Sequence, residues 1–98
     1  MSTIQFIGFK IGTTVKDSDA YALINCLING WNNQTVWIRE LPNAIEIAVL
    51  MSPQLDRKSI ESLIKVDSDL EGLRTRKFLV GEIMPGDLAK YVLVTILK

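Results

Sequence analysis

Two stretches of this chain, residues 44–51 and 91–97, are apolar at both alternating sets of positions, and this limits the available folds more than any other feature. In the first, Ile45, Ile47 and Val49 share one side of a strand while Ala44, Ala48 and Leu50 share the other; in the second, Val92 and Val94 oppose Tyr91 and Leu93. Successive strand side chains point to opposite faces, so a sheet built from these runs needs cover on both. Only two helical patterns are available to supply it, enough for one face.

The first helix is marked by Tyr21, Leu23, Ile24, Leu27, Ile28 and Trp31 at helical spacing. Asp17 or Ser18 stands where a short side-chain oxygen caps its first turn, and Gly30 stands where a left-handed residue closes its last. For the second helix, Ser52-Pro53 offers an N-cap and a first-turn proline, Leu55, Ile60, Leu63 and Ile64 form the buried stripe, and the end falls near Val66.

Residues 3–11 read as a strand whose apolar phase switches between Phe6 and Ile7, which implies cover on both faces or a bulge near Gly8. Residues 35–41 and 44–51 form a hairpin through Pro42-Asn43, residues 67–75 make a polar connection to a strand at 77–84, and Pro85-Gly86-Asp87 turns the chain into a last strand within 88–97. The order predicts an α+β fold: a ferredoxin-like split βαβ sandwich (βαββαβ) with an additional C-terminal strand, its two helices on one face of an antiparallel sheet.

A chain of 98 residues is the size of one domain. Eleven basic residues balance eleven acidic ones, which argues against general electrostatic binding to nucleic acid. Cys26 has no second cysteine to pair with and the start lacks the layout of a signal peptide, so a reducing, cytoplasmic setting is expected. The longest apolar runs are strand-sized, far below the roughly twenty residues of a membrane helix.

Catalytic chemistry is sparse. The chain has no histidine, which removes the commonest general base and metal ligand. Cys26 lies in the apolar part of the first helix and reads as a small core residue. Asp67, Asp69, Glu71 and Gly72 have the opening spacing of a calcium loop, but Phe78 stands where its closing glutamate belongs, so a solvated turn is expected and no metal or cofactor is assigned. Gly8 and Gly12 lack the spacing of a phosphate-binding loop, and the strand at 44–51 has no aromatic on which a base could stack.

The expected function is that of a small non-catalytic protein-interaction or regulatory module, homodimeric through the uncovered sheet face, with room for a heterologous protein partner. Trp37 shares a face with Thr35 and Arg39, a combination typical of interface anchors, and Arg74, Arg76 and Lys77 form the tightest basic cluster. These five residues are the expected partner-binding set. The alternative is a small-molecule binder or cofactor-independent enzyme of the dimeric α/β-barrel kind, with Asn32, Tyr91 or Trp31 orienting a ligand between paired sheets.

Overall fold

The computed structural model describes residues 8–11, 15–31, 35–84 and 89–98. Most of the first expected strand, the loop at 32–34 that contains Asn32, and the turn at 85–87 lie outside them. The elements are β1 (Lys10–Ile11), α1 (Ser18–Gly30), β2 (Val36–Glu40), β3 (Ala44–Leu50), α2 (Arg57–Val66), a 3-10 turn (Ser68–Leu70) running into a short α3 (Glu71–Arg74), β4 (Phe78–Ile83) and β5 (Tyr91–Leu97). The strands form one antiparallel sheet in the order β1-β2-β3-β5-β4.

The fold is thus α+β with an antiparallel sheet, as expected, but the strand order departs from the expected double split βαβ. One such unit is present: β3 and β4 flank β5, each antiparallel to it, and α2 connects them. The other is missing, because β1 and β2, joined by α1, are direct antiparallel neighbours. The last strand, expected as an addition, takes an interior place in the sheet. Its apolar composition suits that place, since Tyr91, Val92, Val94 and Ile96 are all buried.

One core lies between the sheet and the helices. Val36 and Ile38, then Ile45, Ile47 and Val49, then Val92, Val94 and Ile96 stand on the same sheet face in cross-strand register, and Leu23, Ile24, Leu27, Ile60 and Ile64 of α1 and α2 close over them. Each of these side chains is essentially fully buried, worth about 1.5–3 kcal/mol against exposure. Leu70 and Leu73, within the expected polar connection, are equally buried and extend the core from the 3-10 turn and α3.

Local chemistry sets the helix ends. Asp17 caps α1, its Oδ1 accepting from the Asp19 and Ala20 amides at 3.0 and 3.1 Å. The second helix starts later than expected. Ser52 and Leu55 exchange backbone hydrogen bonds in a tight turn, and Asp56 caps α2 by accepting from the Ser59 amide and hydroxyl, each at 2.8 Å. Gly30 stays helical instead of closing α1 in a left-handed conformation; Gly8, with φ +79°, is the positive-φ glycine among the described residues.

Candidate functional site

No described helix packs on the second face of the sheet, and the strand registers fix what stands there. Its central row runs Ile11, Trp37, Ala48, Leu93, Gly81 across all five strands. Beside it runs Arg39, Glu46, Thr95, Leu79; on the other side Leu50, Tyr91, Ile83; and beyond the Arg39 row, Ala44 with Leu97. Ala44, Ala48 and Tyr91 are buried, whereas Leu79 is 65% exposed, Ile11 59%, Leu50 38% and Leu97 37%. Four of the exposed large apolar side chains therefore share this face.

Trp37 and Arg39, expected as contact residues, do stand on this face, in adjacent rows. Arg39 is engaged within the chain. Its Nε donates to Glu46 Oε1 at 2.7 Å, its Nη2 also reaches that oxygen, and its guanidinium lies 4.7 Å from the centroid of the Phe9 ring. Gly8 permits the approach: a Cβ there would come 3.2 Å from Arg39 Cδ. Arg39 and Glu46 thus form a neutral pair on the second face, with the guanidinium over an aromatic ring.

The basic cluster does not join Trp37 and Arg39. Arg74 Nη1 donates to the carbonyls of Ile64 and Asp67, each at 2.8 Å, and so satisfies the C-terminal end of α2. Arg76 Nη1 donates to Asp17 and Asp19 at 2.9 to 3.0 Å, and its Nη2 donates to the Leu97 carbonyl. Lys77 is exposed beside the end of β5, where its carbonyl accepts from the Leu97 amide. Two of the three cations therefore hold the fold together, and the carboxylate partners of Arg76 are too distant in sequence for residue spacing to show.

A concavity of about 620 Å³ lies along α1 and is bordered by Tyr21, Asn25, Cys26, Trp31, Asp67 and Asp69. Trp31 is half-buried against the core and donates through Nε1 to the Gln54 carbonyl at 3.0 Å. It stands on the helix side of the sheet, whereas the register puts Tyr91 on the opposite side, so the two cannot orient one ligand. Ligand-capable atoms of Cys26, Asp67 and Asp69 lie within 4.8 Å of one another, a grouping of α1 with the 3-10 turn that no sequence motif announces.

Cys26 is not poised as a nucleophile. Burial pushes its thiol pKa up, the Asp67 and Asp69 carboxylates push it further, and Sγ donates weakly to Asp67 Oδ2 at 3.9 Å. Alkylation of Cys26 by iodoacetamide at neutral pH is expected to run about tenfold slower than that of a free thiol and to speed up in Asp67→Asn, because the thiolate is the reacting species. A wild-type rate equal to that of a free thiol would contradict this electrostatic account.

Comparison with protein-family models, curated proteins and solved structures finds no match to this chain.

Proposed function

We propose that this chain is a small non-catalytic protein-interaction module and that the second face of its sheet, on which no described helix packs, is the surface it uses, with a second copy of the chain as the partner. The observation that carries this is the set Ile11, Leu50, Leu79 and Leu97, exposed around the half-buried Trp37 and Leu93 on a sheet face where no described helix packs.

Charge favours a copy of the same chain. The net charge is zero, and the Arg39–Glu46 pair makes the face neutral near its centre, so two copies related by a two-fold axis meet without like-charge repulsion. Trp37 is the anchor: a large, half-buried aromatic beside the small Ala48. A reducing, cytoplasmic setting fits this function, because Cys26 has no second cysteine in the sequence to pair with.

Sedimentation of wild type against the double variant Leu50→Asp, Leu97→Asp tests the proposal. Both side chains are partly exposed and outside the helix-side core, so the variant is expected to stay folded by circular dichroism. Two carboxylates per copy placed in an apolar contact are expected to weaken association about a hundredfold or more. A wild type that sediments as a monomer at every concentration, or a variant that associates like wild type, would sink it.

A further inference from the structure

At the β4 edge of the sheet, the backbone hydrogen bonds define which groups point away from β5. The Leu97 amide donates to the Lys77 carbonyl at 3.0 Å, so 77 and 97 form a hydrogen-bonded pair. Bonded and non-bonded pairs alternate along an antiparallel ladder, which commits Leu79, Gly81 and Ile83 to β5. Phe78, Val80 and Glu82 then aim their N–H and C=O groups away from β5. The other side of β5 gives the same answer: bonds from Met51 to Lys90 and from Lys98 to Asn43 commit Val92, Val94 and Ile96 to β3, leaving Tyr91, Leu93, Thr95 and Leu97 for β4.

No described strand lies on that outer side. The six residues of β4 match β5 one for one, without a bulge and without proline, so two of the devices that blunt a sheet edge are missing from it. Leu79 stands at this edge 65% exposed, and a Cβ on its neighbour Gly81 would meet nothing within 4 Å. Such an edge is a template for another strand.

We propose that β4 pairs antiparallel with β4 of a second copy about a two-fold axis through Val80, joining the two sheets into one. With this register the outward groups of Phe78, Val80 and Glu82 meet those of the second copy's Glu82, Val80 and Phe78, so every outward donor finds an acceptor. Leu79 then faces the second copy's Gly81, and its side chain fills the space that the missing Cβ leaves open. Shifting the axis toward Leu79 leaves Glu82 unpaired, and shifting it toward Gly81 leaves Phe78 unpaired and sets glycine against glycine. The central register also keeps the two Glu82 carboxylates four residues apart, roughly 13 Å, beyond the screening length at physiological salt.

Hydrogen exchange measured by NMR in dilute and in concentrated protein tests this, using the Leu50→Asp, Leu97→Asp variant so that the face contact is absent. The amides of Phe78, Val80 and Glu82 are expected to gain about tenfold or more in protection on concentration, while those of Leu79, Gly81 and Ile83, already bonded to β5, change little. Adding Glu82→Pro removes one outward donor and leaves the β5 ladder intact, and is expected to abolish the concentration-dependent dimer in native mass spectrometry. Flat exchange at Phe78, Val80 and Glu82, or an undiminished dimer in the proline variant, would overturn the β4 pairing and leave the face contact standing.

Discussion

Replacing Ile47 by alanine is expected to lower the free energy of unfolding by about 3–4 kcal/mol, a large part of what a domain this size has. Ile47 is fully buried on β3, with Ile38 and Val94 as cross-strand neighbours on the helix side. Around it stand β-branched side chains of the sheet and the Leu23, Ile24 and Leu27 stripe of α1, which belong to one tightly packed cluster and cannot collapse far into the space left. The loss therefore includes a cavity term as well as the transfer term. Leu50→Ala, three residues along β3 but on the open face, should cost under about 1 kcal/mol in the monomer, because that side chain is already 38% exposed. Urea unfolding at a concentration where the protein is monomeric separates the two: the midpoint shifts strongly for Ile47→Ala and little for Leu50→Ala, with the slope unchanged. Equal shifts would mean that the second face is as buried as the first and would remove the basis for an interface there.

The contrast between those faces is partly legible in the sequence. Apolarity at both alternating sets of positions in residues 44–50 and 91–97 announces strands with apolar residues on both faces, and Pro42-Asn43 announces the hairpin between β2 and β3. The Asp17 cap of α1 is legible because capping is a local event. Strand order is not, since insertion of β5 between β3 and β4 depends on pairings up to 53 residues apart, as at Ala44 and Leu97. The start of α2 offers two competing caps, and Ser52 spends its hydroxyl on the Leu55 amide while Asp56 takes the helix. Leu70 and Leu73 hide in a charged stretch too short to show a period, yet both reach the core. That Trp37 and Arg39 share a sheet face is legible from their alternation on a strand, but the Glu46 and Phe9 contacts of Arg39 depend on pairings the sequence does not display.

The Arg76 cluster shows the same limit and leads to the second large effect. Asp17 and Arg76 are 59 residues apart, and their contact ties the start of α1 to the strand-side end of the fold, where Arg76 also holds the Leu97 carbonyl. Asp19 completes the cluster from the far side, packed so closely on Gly72 that a Cβ there would fall 2.3 Å from its Oδ1. Burial alone would raise the Asp17 pKa, but the Arg76 hydrogen bond and charge, with the Ala20 and Asp19 amides, outweigh it and hold the carboxyl below its ordinary value. A depressed carboxyl stabilises the folded state above its unfolded pKa, near 3.9, and that contribution is lost as pH falls through the folded value. All three side chains are less than a third exposed, so screening weakens the cluster without cancelling it. Arg76→Ala is expected to cost about 2 kcal/mol at neutral pH, through the lost ion pairs and the partners left behind. Below about pH 4 the gap between variant and wild type should narrow, because protonated Asp17 no longer rewards the arginine. Gly72→Ala should act on the same cluster by displacing Asp19, and a double-mutant cycle with Arg76→Ala should then show non-additivity, since both changes remove one interaction. Unfolding curves for wild type and Arg76→Ala that run parallel from neutral pH down to pH 3 would show that Asp17 is held by its helix cap alone, and that α1 and β5 are joined by packing without this bond.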